Sequence, residues 1–318
     1  MRTISPYEFS REQELELQKA RRLEYLSIAY LVSVIVLMYL VMGSSQAMKT
    51  AWVEDLLSLV PPICFLVASH ICWRKPTDRY PYGFHRVVSI LFLLAAVALL
   101  LTGAFLLLEA LLTLVRREHP TIGMKEFFGQ DLWLGWWMLA VLAWGAVPPV
   151  LLGRAKLKLA KPLNDKILVT DGRMNKADWM TAVAAMVGVI GIGLGLWWAD
   201  AVAAAFISFD ILKDGWTQTK DAVTGLMNRA PTSVEGEPLT LPAECEALLA
   251  SLPWVKSAEV RMCEHGHLIS GDGFVCTVND EPVSPNELRA AMQRAQNLDW
   301  RLRGFTLSVE PYEWNDEC

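Results

Sequence analysis

The chain is 318 residues long, 53% hydrophobic and 20% charged, with a mean hydropathy of +0.29. That balance exceeds what a soluble domain carries and calls for a lipid solvent. Charge is unevenly placed: residues 231–318 hold 15 Asp/Glu against 6 Lys/Arg, a net of −9, so residues 1–230 carry +4 of the overall −5. Two domains in different surroundings follow, and the acidic tail speaks against binding nucleic acid.

Residues 1–23 mix acids, bases and amides, with no apolar run before a small-residue cleavage site. The expectation is a retained cytosolic N-terminal segment rather than a signal peptide. Apolar stretches then recur at 24–44, 50–72, 87–115, 132–153, 177–198 and 200–226, each near the ~20 residues that cross a bilayer. They predict six transmembrane helices within residues 24–228. Pro61-Pro62 and Pro148-Pro149 fall inside two of them, where each removes backbone donors and favours a kink. Gly188, Gly191, Gly193 and Gly195 give the fifth stretch a small-residue face for close helix approach.

Orientation follows from the basic residues in short loops. Arg74, Lys75, Arg79 and Arg86 follow the second span, and Arg154, Lys156, Lys158, Lys161, Lys166, Arg173 and Lys176 follow the fourth. The opposite loops offer Lys49, Arg116, Arg117 and Lys125. Both termini are expected in the cytosol, across the cell (inner) membrane. Trp133, Trp136 and Trp137 before one span, and Trp197 and Trp198 ending another, suit an outer interface belt.

Residues 229–240 read as a linker and 241–318 as a compact α+β unit. Its elements are a helix at 243–251, strands near 258–263 and 273–278, a helix at 284–297 and a strand at 305–309. Six cysteines, at 64, 72, 245, 263, 276 and 318, are dispersed, which fits a reduced, cytosol-facing tail rather than a disulfide framework. No Ser/His/Asp grouping, His-Glu-x-x-His or Gly-rich phosphate loop is present, so no enzyme is expected. His70, His85 and His119 are scattered and read as interfacial.

An ionisable residue at membrane depth is costly unless it meets a cavity, a partner or an ion. Asp55 and Asp178 stand out: each opens an apolar run with a hydroxyl residue three positions on, in Asp55-Leu-Leu-Ser58 and Asp178-Trp-Met-Thr181. Facing carboxylates can bind a divalent ion and must shed protons to do so, which couples metal to proton movement. The bland alternative is an ion pair with Lys49, Arg173 or Lys176. Glu54, Asp171 and Asp200 lie nearer the interfaces, and Asp210 is a rival acid within an apolar stretch.

Several marks together resemble a known family. Tyr80-Pro81-Tyr82-Gly83-Phe84-His85-Arg86 is similar to the His-Pro-Tyr-Gly-x-x-Arg/Lys segment that precedes the third helix of the cation diffusion facilitators. Trp198-Ala199-Asp200-Ala201 and Lys213-Asp214-Gly215-Trp216 resemble that family's marks around its sixth helix. The resemblance spans about Tyr25 to Pro311. It implies an all-α membrane domain of six transmembrane helices plus a small α+β ferredoxin-like cytosolic domain, assembled as a homodimer.

The same resemblance implies a metal site with two ligands four apart on the second helix and two on the fifth. Asp178 matches the second fifth-helix ligand, Met174 stands where His or Asp is usual, and Asp171 matches a frequent family acid. On the second helix either Ala51 and Asp55 or Asp55 and Leu59 occupy the pair. The expected transmembrane site is therefore Asp55 and Asp178, aided by Met174, Glu54 or water. In the tail, Cys263-Glu264-His265-Gly266-His267 and Cys276 offer donors suited to zinc or copper, or else a surface turn with buried cysteines. Arg86 matches a family base that pairs with an acid, here replaced by Asn228.

The function expected is a divalent metal cation transporter, moving a metal such as zinc or iron outward by alternating access in exchange for protons. Metal ion, proton and membrane lipid are the partners, with no tightly bound cofactor. The alternative is a transport-inactive relative that keeps the fold and dimer and acts through its cytosolic domain.

Overall fold

The computed structural model describes residues 11–41, 52, 54–116, 124–127, 130–193, 199–278 and 282–310. The chain divides into two compact units, one containing residues 9–69 and 91–222, the other residues 70–90 and 223–318.

The first unit is helical. Its elements are α1 (Arg11–Val41), α2 (Val60–Ile71), α3 (Arg86–Arg116), α4 (Leu134–Leu163), α5 (Lys166–Gly193) and α6 (Ala199–Leu226), the last running on into the second unit, from which α3 begins. A short antiparallel hairpin, β1 (Met124–Phe127) with β2 (Gln130–Trp133), precedes α4; the sequence gives no warning of it. Among the described residues, four helices are long and apolar enough to cross a membrane: Arg11–Leu40, Glu54–Ile71, Arg86–Arg116 and Leu139–Leu163. α5 and α6 carry charges that pair with one another and with α4. Lys176 Nζ reaches Asp210 Oδ2 at 2.7 Å and Arg173 Nη1 reaches Asp214 Oδ1 at 3.5 Å. Outward-facing Leu26, Leu40, Leu101, Leu151 and Phe209 are the surface a bilayer would cover.

Glycines set how closely these helices approach. A Cβ on Gly103 would sit 2.7 Å from Leu212 Cα, and one on Gly215 would sit 2.5 Å from Leu100 Cα. α3 and α6 therefore cross backbone to backbone at two reciprocal points. Gly172 of α5 likewise meets Leu157 of α4. The surroundings of Gly188, Gly191, Gly193 and Gly195 lie outside the described residues.

The proline pairs act differently from each other. Pro148 and Pro149 lie within a continuous α4, and Pro148 leaves the carbonyl of Trp144 without its helical donor. Tyr30 on α1 supplies one instead, its hydroxyl donating to Trp144 O at 2.8 Å. Pro61 and Pro62 fall in the first turn of α2, after a break at Ser58-Leu59. Their missing N–H groups leave the carbonyls of Leu57 and Ser58 without helical donors.

The second unit joins the loop before α3 to the tail. Its tail elements are α7 (Leu241–Ala250), β3 (Val255–His265), β4 (Leu268–Thr277), α8 (Pro285–Gln296) and β5 (Leu302–Glu310). The sheet order is β3-β4-β5, with β3 and β4 antiparallel and β4 and β5 parallel. α8 makes the crossover that a parallel pair requires. It starts on a reciprocal capping box between Ser284 and Glu287, and that hydrogen bonding holds the Glu287 carboxyl below its usual range. Cys245, Leu249, Val275, Ala291, Ala295, Leu302 and Phe305 form the core between helices and sheet.

Strands β3, β4 and β5 run longer than the sequence predicts. Gly271 and Gly273 weaken the strand signal of β4, yet they are where Phe305 packs: a Cβ on Gly273 would meet Phe305 Cζ at 2.8 Å.

Candidate metal site

The acids singled out in the sequence gather where the broken start of the second span meets α5. Ser58 Oγ donates to Asp178 Oδ1 at 2.6 Å. Thr181 Oγ1, one turn along α5, donates to Glu54 Oε1 at 3.0 Å and lies as close to the carbonyls of Ala177 and Asp178. Each segment thus offers a hydroxyl to a carboxylate of the other. Glu54 is 4% exposed and Asp178 8%. Asp55, beside Glu54, has Oδ2 buried with no hydrogen-bond partner. The three carboxylates lie near enough to repel one another, so a cation between them relieves both repulsion and unmet acceptor capacity.

Met174, four residues before Asp178, is fully buried in an apolar cluster with Ala98, Leu99, Leu106 and Ile211. Its thioether therefore packs between helices α3, α5 and α6. Ala51 lies outside the described residues, as does the side chain of Asp200. Among the described residues, no three His, Cys, Asp or Glu side chains converge closely enough to hold a metal ion. Among the described residues, the donors gathered here are oxygens: carboxylates of Glu54, Asp55 and Asp178, and hydroxyls of Ser58 and Thr181.

Nearer the end of α4 lies a second buried polar group. Lys156 Nζ is 2.8 Å from Asp171 Oδ2 and 3.1 Å from Glu24 Oε2, all three fully or almost fully buried. Asn175 Nδ2 donates to Asp171 O at 2.8 Å and to its Oδ1 at 3.2 Å. Asp171 is thus held by a lysine, and Asp210 by Lys176. Those pairings separate both from Asp178, which accepts from a neutral hydroxyl.

In the tail, the structure brings some predicted donors together and not others. Cys263 Sγ lies 3.4 Å from His265 Nε2. That same nitrogen lies 3.1 Å from Arg86 Nη2, and because a guanidinium only donates, His265 must accept there and be neutral. Burial, then Arg86, holds its imidazole below the ordinary value. His267, in the turn, stacks on Trp73 with ring centroids 6.2 Å apart. Cys276 pairs with Ser257 on β3, whereas Cys263 pairs with Ser270. That separation along β4 is about 20 Å at ~3.3 Å per residue.

His85, read from the sequence as one of three scattered interfacial histidines, joins this group of rings. It lies edge-on to Trp73 with centroids 6.1 Å apart, its Nδ1 is buried without a hydrogen-bond partner, and its carbonyl packs against Gly266. Gly266 takes φ +68, and its N–H donates to Ser89 Oγ at 3.2 Å. Burial first, then His267 and His265, lowers the His85 imidazole to about 4. Arg86 Nη2 also donates to Asn228 Oδ1 at 2.9 Å, so a charge-to-neutral hydrogen bond stands at the position where the resemblance implies an ion pair.

A family model described as the cation efflux transmembrane domain matches residues 24–227. The chain is 25% identical over 209 residues to the manganese efflux system protein MneS of Bacillus subtilis, covering 65% of this chain and 68% of that protein. It is 24% identical over 233 residues to MneP of the same organism, also named a manganese efflux system protein, covering 71% and 72%. It is 24% identical over 245 residues to the zinc transporter ZitB of Yersinia pseudotuberculosis, covering 76% and 70%.

Proposed function

The chain belongs to the cation efflux family, and from that premise we propose that it exports a divalent cation, manganese foremost, through a site made by Glu54, Asp55 and Asp178. Family membership supports divalent metal cation transport by an integral membrane protein. The observation that carries it is the crossed pair Ser58 to Asp178 and Thr181 to Glu54, with the buried, unpartnered Asp55 oxygen beside it.

Carboxylate, hydroxyl and carbonyl oxygens suit hard ions such as Mn²⁺, whereas imidazole and thiolate favour zinc. Zinc and iron are the metals the sequence alone suggests, and the oxygen-rich surroundings move the preference to manganese. The carbonyls of Leu57 and Ser58, left without helical donors by Pro61 and Pro62, are further oxygens in the same segment. Two relatives named as manganese efflux proteins lend support to that choice.

The mechanism follows from charge. Three crowded carboxylates hold protons when no cation is present, and a cation enters as they release them. Protons thus return as metal leaves, in a homodimer that alternates its access across the cell (inner) membrane, with both termini cytosolic. Transport rather than enzymatic chemistry is the activity assigned.

Calorimetric titration of Mn²⁺ into the purified full-length protein, in buffers of different ionisation enthalpy, counts the protons released. At least one proton per Mn²⁺ is expected, with binding lost in Asp55→Asn. Binding without proton release overturns the coupling. The absence of a converged ligand cluster among the described residues is what a transport-inactive relative would display, and for such a relative the titration shows no binding at all.

A further inference from the structure

The second unit holds a cavity of about 460 Å³ between the loop that precedes α3 and the tail sheet. Arg74, Lys75 and Arg86 line it from the loop side and Arg303 from β5, with Trp73 and Tyr82 among the aromatic walls. None of its sixteen lining residues is an acid. Ten of the sixteen come from residues 72–86 and six from the otherwise acidic tail. The cavity does not overlap the carboxylate site, and its role is independent of the transport proposal.

Chain connectivity puts the loop wall of this cavity next to two apolar helices. Residues 72–85 link Glu54–Ile71 to Arg86–Arg116, two helices long and apolar enough to cross a membrane. A link of this length keeps both of its ends at the bilayer surface and reaches at most about 25 Å from it. Tyr82 is 81% exposed and Tyr80 47%, as aromatic side chains at a headgroup layer are. Basic pockets at the ends of transmembrane helices are suited to phosphate headgroups, and each Lys or Arg near an anionic surface adds to the attraction. Arg303 and Arg86 also bring donors in fixed forks that match phosphate oxygens.

We propose that this cavity binds a phosphate-bearing anion, presented either by the headgroup of an anionic phospholipid or by a soluble phosphate ester. Occupied, it joins the loop to the tail with a shared counter-charge.

The test uses the full-length protein in nanodiscs, with thermal unfolding and native mass spectrometry as readouts. One arm compares phosphatidylcholine with and without phosphatidylglycerol. A second adds inorganic phosphate or glycerol phosphate to phosphatidylcholine discs at constant ionic strength, and a third replaces phosphatidylglycerol by a fatty acid. Arg74→Gln with Lys75→Gln, both exposed positions, should weaken phosphate binding about thirtyfold, as removal of two cations near the anion predicts, and reduce the phosphate-dependent stabilisation accordingly. Stability in plain phosphatidylcholine should not change. Arg289→Gln with Arg294→Gln, exposed on α8 outside the cavity, should behave like the parent.

Stabilisation by phosphatidylglycerol alone identifies a lipid source, and stabilisation by free phosphate or glycerol phosphate identifies a soluble one; either supports the site. No phosphate dependence in the parent overturns it. So does equal stabilisation by the fatty acid, or equal weakening in the α8 variant, since general charge would then suffice.

Discussion

Ser58 Oγ and Asp178 Oδ1 are 2.6 Å apart, joining the second span to α5 through one hydrogen bond. Thr181 and Glu54 repeat the contact in the opposite sense at 3.0 Å. If these hydroxyls aim carboxylates at a cation, Ser58→Ala should raise the KM for Mn²⁺ about fivefold, the worth of ~1 kcal/mol for a hydrogen bond. Maximal rate should hold. Because both bonds join the same two segments, Ser58→Ala with Thr181→Val should depart from additivity. Kinetic constants from metal uptake into vesicles check both statements.

Lys156 neutralises two buried acids, Glu24 and Asp171. Lys156→Met leaves both without their cation and should cost ~3–5 kcal/mol, the usual penalty for breaking a buried pair. Adding Glu24→Gln and Asp171→Asn to that variant should recover much of the loss. Denaturation midpoints of the three proteins in detergent settle the matter.

Gly215 meets the backbone of Leu100, so a methyl group there has no room. Gly215→Ala should destabilise by ~1–3 kcal/mol through overpacking. Gly225→Ala, with nothing within 4 Å, should be tolerated. Thermal unfolding of the two variants supplies the comparison.

His85 gives the tail a pH dependence of definite sign. Its imidazole lies at about 4 against an ordinary 6.5, so the unfolded chain takes up a proton first as pH falls. Stability from this group is full above about 6.5 and is lost as pH falls towards about 4. His267 and His265 lie close to it and oppose any added charge. His85→Asn should flatten the stability profile over that window, and superimposable profiles for the two proteins would refute the assignment.

Much of this architecture is legible in the sequence. Apolar stretches mark where long helices run, and the capping Ser284 and the α7-β3-β4-α8-β5 order follow from local signals. The acid pairs Asp55/Ser58 and Asp178/Thr181 are visible as a repeat. What local signals cannot give is pairing across space. That Thr181 meets Glu54 rather than Asp55, and that Tyr30 fills the acceptor released by Pro148, depends on which helix faces which.

His85 is the clearest case. It lies 180 residues before His265 in the chain, and nothing near it in sequence announces a ring partner. The turn Gly266-His267 and the loop at Trp73 bring it there. Conversely, Cys276 looks close to Cys263 in a strand diagram of unknown length, and the long β4 carries it away.

The central claim is that a divalent cation crosses at Glu54, Asp55 and Asp178. Mn²⁺ flux into proteoliposomes under an imposed pH gradient, for the parent and for Asp55→Ala with Asp178→Ala, tests it most directly. The parent should move Mn²⁺ faster than Zn²⁺, and the double variant should fall to the level of empty vesicles. Undiminished Mn²⁺ flux in the double variant would contradict the account.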